Sequence, residues 1–102
     1  MLKNPQHQLV AMFERPGGEW QHINKGAYWE KYGEYEKAAA CYLKALRSAP
    51  QHAGASLRMG MVLYKLGSFG EALKHLDLAL TSNPDDAEVL LGRGRVLEKM
   101  HK

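Results

Sequence analysis

The sequence holds a single cysteine, Cys41, so no disulfide can form within its 102 residues. The thiol lies in KAAACYLKAL with no activating motif around it and reads as a buried structural residue. No apolar run approaches the roughly 18 residues that a membrane span needs. The opening MLKNPQHQ lacks the apolar centre of a secretory signal. These absences predict a soluble, cytoplasmic chain that does not engage a membrane. Charge is modest as well: the net value is +3, too little to imply nucleic acid without a clustered basic patch.

Reactive constellations are also missing. The histidines, His7, His22, His52, His75 and His101, include no pair at metal-ligand spacing with a third ligand nearby. There is no G-x-S-x-G, no H-E-x-x-H and no phosphate loop. GRGR at 92–95 lies inside a helical pattern. The carboxylate pairs Glu30 with Glu34 and Asp85 with Asp86 are of the kind that solvated faces and helix caps carry. These absences argue against an enzyme and predict neither metal nor cofactor.

What the sequence does have is order among its breakers. Of only four prolines, Pro16, Pro50 and Pro84 stand 34 residues apart. The same shift superposes Gly26, Gly60 and Gly94, then Gly33 on Gly67, Tyr35 on Phe69, Ala38 on Ala72 and Ala45 on Ala79. A period between 20 and 50 residues signals a stacked array of one structural unit.

Each period contains two helical patterns. EWQHINKGAYWEKYG carries apolar residues at helical spacing and stops at Gly33, which enters the left-handed region without strain. YEKAAACYLKALRSAP places Ala38, Tyr42, Ala45 and Leu46 on one stripe, and Pro50 ends it. SLRMGMVLYKLG and SFGEALKHLDLALTSNP repeat the plan, with Ser68 and Glu71 in the arrangement of a capping box. A last helix, DDAEVLLGRGRVLEKM, opens with Asp85 and Glu88 at the positive end of its dipole. The recurring alanines and glycines let paired helices approach closely, while Trp29, Leu63, Leu97, Tyr42 and Leu76 fill the adjacent volume. Truncating Trp29 to alanine is on this basis expected to cost about 3–5 kcal/mol.

These residues resemble the tetratricopeptide repeat, in which a glycine and an aromatic of the first helix are followed by alanine, a large apolar residue, alanine and proline around the second. Here the pattern reads Gly26, Trp29, Ala38, Tyr42, Ala45, Pro50, and again Gly60, Leu63, Ala72, Leu76, Ala79, Pro84. The early tryptophan of the family is replaced by His22, Ser56 and Leu90. The resemblance implies an all-α, right-handed superhelix of antiparallel helix pairs. Its units are a capping helix or half repeat in 1–18, repeats over 19–52 and 53–86, and a further first helix in 87–102.

The ends differ in character. Residues 4–15 occupy the place of a leading second helix, and Ala11 and Pro16 keep the spacing to Ala45 and Pro50, but Asn4 and Gln8 stand where an alanine and a large apolar residue belong. In the last helix Val89, Val96 and Met100 are expected against the preceding helix. Leu90, Gly94 and Leu97 form a stripe with no partner in the sequence, reading either as modest exposure or as a contact through which copies assemble head to tail.

The resemblance also implies that first helices line a concave groove. Its expected wall comprises Trp20, an apolar row of Ile23, Leu57 and Leu91, a lysine row of Lys31, Lys65 and Lys99, and Asn24, Arg58, Ala27, Met61 and Arg95. Such a wall suits a protein or peptide partner carrying acidic residues, although Glu30, Glu88 and Glu98 reduce its basic character. The carboxylate-gripping set of some family members is absent: its places hold Ile23, Ala27, Arg58, Glu88 and Gly92, of which only Arg58 is basic. The expectation is a scaffold-like interaction module, adaptor or small chaperone, with self-assembly through the terminal helices as the alternative. Nucleic acid is set aside because no dense basic stripe or RNA motif accompanies Trp20.

Overall fold

The computed structural model describes residues 18–101, and among these the chain forms five helices and no strand. They are α1 (Glu19–Lys31), α2 (Tyr35–Ser48), α3 (Ala53–Lys65), α4 (Phe69–Ser82) and α5 (Ala87–Met100). The capping helix or half repeat expected before Gly18, including Asn4, Gln8, Ala11 and Pro16, falls outside the described residues.

The turns follow from local chemistry. Gly33 and Gly67 have φ of 75° and 84°, the left-handed conformation that glycine adopts at least cost. At the first, the Glu34 amide donates to the Trp29 carbonyl at 2.9 Å and the Gly33 amide to Glu30 at 3.0 Å. At the second, Ser68 donates to Leu63 at 2.9 Å and Gly67 to Tyr64 at 3.1 Å. This doubled closure satisfies the end carbonyls of α1 and α3 and reverses the chain within three residues. The two proline-containing links behave differently: α2 and α4 end in extended residues, Ala49 and Asn83, and the next helix is capped by a side chain. His52 Nδ1 accepts from the Ala55 amide at 3.1 Å, and the Asp86 carboxylate accepts from Glu88 and Val89 at 3.0 and 3.4 Å. The cap of α5 is thus Asp86, one residue after the expected Asp85. The Ser68 capping box is not formed: its hydroxyl makes no cap bond, and Glu71 reaches Lys74 at 3.7 Å instead.

Two apolar clusters share α3 between them. The first joins Ile23, Ala38, Tyr42, Ala45, Leu46, Ala55, Met59 and Val62, and the second Ala72, Leu76, Ala79, Val89 and Val96. Tyr42 lies directly over Gly26 and Leu76 over Gly60, so the glycines hold the helix pairs close while one large side chain fills each gap. Tyr42 and Leu76 are fully buried, whereas Trp29, Leu63 and Leu97 are only partly so. Trp29 lies along the edge of the first cluster with the Lys37 ammonium 4.4 Å from its ring centroid. Cys41 is partly exposed rather than buried, being off the Ala38–Tyr42–Ala45 stripe of α2. Val89 and Val96 face α4 as expected, but Met100, in the final turn of α5, is exposed.

Candidate peptide-binding groove

The first helices α1, α3 and α5 converge on a cavity of about 310 Å³ lined by Glu30, Gly54, Leu57, Arg58, Met61 and Glu88. That volume is at the lower end of the range for ligand pockets. Leu57 and Met61, both partly buried, supply its apolar surface from α3. Met61 leans toward α5, where its sulfur would stand 2.8 Å from a β-carbon on Gly92. The space itself has a readable origin. Gly54 occupies the same repeat position as Trp20 and Glu88, so the indole volume of the first period is vacant in the second.

The rim carries two carboxylates and one guanidinium. Glu30 Oε1 accepts a 2.6 Å hydrogen bond from the Tyr42 hydroxyl, and Arg58 Nη1 lies 3.8 Å from the same oxygen. Burial holds the Tyr42 phenol well above its ordinary value, and the Glu30 carboxylate reinforces the shift by accepting the proton's hydrogen bond. Tyr42 thereby links the core to the groove: one end fills the gap over Gly26 and the other orients Glu30. Arg58 is already engaged with Glu30, and Glu88 makes no ion pair among the described residues. With Glu30 and Glu88 against Arg58, the rim has a surplus of one negative charge.

Of the residues expected on the groove wall, Leu57, Arg58 and Met61 line the cavity together. Ile23 does not stand on the open wall: it is 5% exposed and clusters with residues of α2 and α3. Leu91, at the same repeat position, is 57% exposed. Trp20 is 52% exposed, meets the His52 imidazole edge-on at 4.9 Å and is not among the residues lining the cavity. Asn24, Lys31, Lys65, Arg95 and Lys99 are exposed and Ala27 is partly buried. The lysine row has a local reason of its own. Lys31, Lys65 and Lys99 occupy the last turns of α1, α3 and α5, where a cation offsets the negative end of the helix dipole. Glu30, Gly54 and Glu88 complete the cavity; the 34-residue alignment with Trp20 is the sequence signal for Gly54 and Glu88, and it does not include Glu30.

The expected end stripe is open. Leu90 is 45% exposed, a β-carbon on Gly94 would meet nothing within 4 Å, and Leu97 is partly buried. Residues 4–15, which head-to-tail assembly would seat there, lie outside the described residues. No group of three or more metal-ligating side chains occurs among the described residues, nor is any helix there long and apolar enough to cross a membrane.

Paired antiparallel helices, a repeating glycine-over-large-residue contact and a groove built from first helices define a helical-hairpin repeat protein. Residues 30–87 and 57–99 match the family profile described as "Tetratricopeptide repeat", and the chain belongs to that family. It is 33% identical over 81 residues to "Tetratricopeptide repeat protein 16" of Homo sapiens, covering 72% of this chain and 9% of the relative. It is 27% identical over 77 residues to "BBSome complex member BBS4" of Bos taurus, covering 76% of this chain and 15% of the relative. The chain thus spans a small part of the length of these relatives. Among solved structures, a point mutant of MamA superposes with a TM-score of 0.77 at 23% identity, over 86% of this chain and 64% of that one. That likeness supports the fold, an all-α right-handed superhelix of antiparallel helix pairs.

Proposed function

We propose that the chain is a non-enzymatic protein–protein interaction module, adaptor-like or chaperone-like, that holds a segment of a partner protein in the groove of α1, α3 and α5. The repeating units would run over 19–52 and 53–86, with 87–102 the opening half of a third. The observation that carries the reading is the cavity with an apolar floor and charged rim drawn from three separate helices. A surface of this kind binds by burying an anchor side chain and by matching charge at its edge.

The rim chemistry refines the partner. A lysine or arginine of the segment would lay its alkyl stem on Leu57 and Met61 and present its cation to Glu88 and Glu30. The acidic residues expected from the sequence would face the exposed Lys31, Lys65 and Lys99 instead, outside the cavity. The partner segment on this reading is mixed in charge, with a basic anchor. Peptide-array binding with the wild type and with Leu57→Glu and Glu88→Lys tests it. Retention of the same peptides by both variants contradicts the groove.

A further inference from the structure

We infer that Tyr42, a core residue of α2, is a specificity-determining residue of the groove. Its hydroxyl holds the Glu30 carboxylate in place as the acceptor for a single guanidinium or ammonium group of the partner. The inference rests on the groove reading and extends it to a side chain that does not line the cavity.

Packing accounts for the ring of Tyr42 but not for its hydroxyl. Leu76 fills the same repeat position over Gly60 with no polar atom, and both side chains are 0% exposed. The hydroxyl serves the residue one helical turn beyond Gly26. Gly26 and Glu30 share a face of α1, so a ring lying over the glycine carries its hydroxyl to the carboxylate. In the second period the corresponding pair is Leu76 and Tyr64, which cannot form such a bond, and Tyr64 packs on Phe69 at 5.9 Å between centroids. The 2.6 Å bond to Glu30 is of the short kind that a charged acceptor makes. Burial keeps the phenol protonated, and so a donor, through the neutral range. The Glu30 side chain is only 28% exposed, and a carboxylate withdrawn from water needs such a donor. Tyr42 and Arg58 both meet Oε1, and among the described residues no group donates to Oε2. A partner's cation can therefore take Oε2 without displacing Tyr42, while Glu88 supplies a second carboxylate from α5. Because Tyr42 has already fixed Glu30, binding does not have to order a flexible carboxylate.

The probes are n-butylguanidinium, an alkyl stem with a cation, and n-butylurea, its uncharged counterpart. Each is titrated into the 102-residue protein, and binding is read at the methyl resonance of Met61 in the cavity lining. Tyr42→Phe keeps the ring and removes the hydroxyl. It should weaken n-butylguanidinium by about three- to tenfold, the effect of ordering one long side chain, and leave n-butylurea unchanged. Glu30→Gln leaves the hydroxyl an acceptor but removes the charge, so it should lose the cation preference outright. Adding Tyr42→Phe to Glu30→Gln should then cost no further affinity, since the two groups act as one unit. Equal n-butylguanidinium affinity in the wild type and Tyr42→Phe overturns the role of Tyr42 and leaves the groove reading standing. Equal weakening of both probes, or a loss that persists in the Glu30→Gln background, makes Tyr42 a packing residue only and overturns the inference too. A Met61 methyl that neither probe moves in the wild type overturns the basic-anchor groove and the inference together.

Discussion

A β-carbon on Gly26 would stand 2.7 Å from Cδ1 of Tyr42, inside the closest approach that such carbons make. The relationship runs both ways. Tyr42 is fully buried because Gly26 gives it room, and α1 and α2 come close because Tyr42 fills what the glycine leaves. The tyrosine hydroxyl then emerges at Glu30, so a packing contact in the core sets a carboxylate at the groove.

Gly26→Ala and Gly94→Ala should move stability in opposite directions although the two glycines share one repeat position. At Gly26 the added methyl meets a rigid ring, and overpacking of this kind costs about 1–3 kcal/mol. At Gly94 it meets nothing within 4 Å, and alanine favours a helix interior by about 0.5–1 kcal/mol. Urea denaturation of the two variants beside the wild type gives both signs.

Tyr42→Phe should keep the packing and lose the bond to Glu30, lowering stability by about 1 kcal/mol. Leu76→Ala should cost about 2–5 kcal/mol, as for other large-to-small core changes. Trp29→Ala should fall near or below the lower end of the 3–5 kcal/mol range expected from sequence, about 3 kcal/mol, because the indole is only partly buried. A cost for Leu76→Ala below about 2 kcal/mol in chemical denaturation contradicts the assignment of the core.

His75 makes stability depend on pH. Its Nδ1 is buried without a hydrogen-bond partner, and burial lowers its pKa below the usual value of 6.5, with Lys74 adding to the effect and Glu71 opposing it. The unfolded chain takes up a proton near pH 6.5, whereas the folded chain resists it until lower pH. The His75 contribution is therefore intact above that value and declines as pH falls through it toward the folded pKa. His75→Leu should flatten the drop in melting temperature between about pH 7.5 and 5, and an equal drop in the variant assigns the effect to other groups.

In the groove, Met61→Glu should weaken partner binding more than Lys65→Glu, since the first removes apolar floor and the second changes an exposed last-turn residue. Glu88→Lys should reverse the rim charge and select against basic anchors. Titration of one array-derived peptide against the three variants, with far-ultraviolet dichroism to verify folding, reads the order.

The sequence by itself determined the hairpin plan. Breakers at 34-residue intervals, left-handed glycines at 33 and 67, and the Ala–large–Ala stripe act through local sterics, so self-alignment of the chain displays them. Only the tertiary structure decided what the groove offers. Glu30, Gly54, Arg58 and Glu88 come from three helices, and Glu30 and Arg58 occupy repeat positions other than the shared one of Gly54 and Glu88, so the cavity runs diagonally across the array. A comparison of like with like positions cannot reveal such a diagonal. For the same reason Ile23, Leu57 and Leu91 form one row in sequence yet are buried, half-buried and exposed in space. Each first helix is covered by the elements stacked on it, and those elements are not written in its own residues.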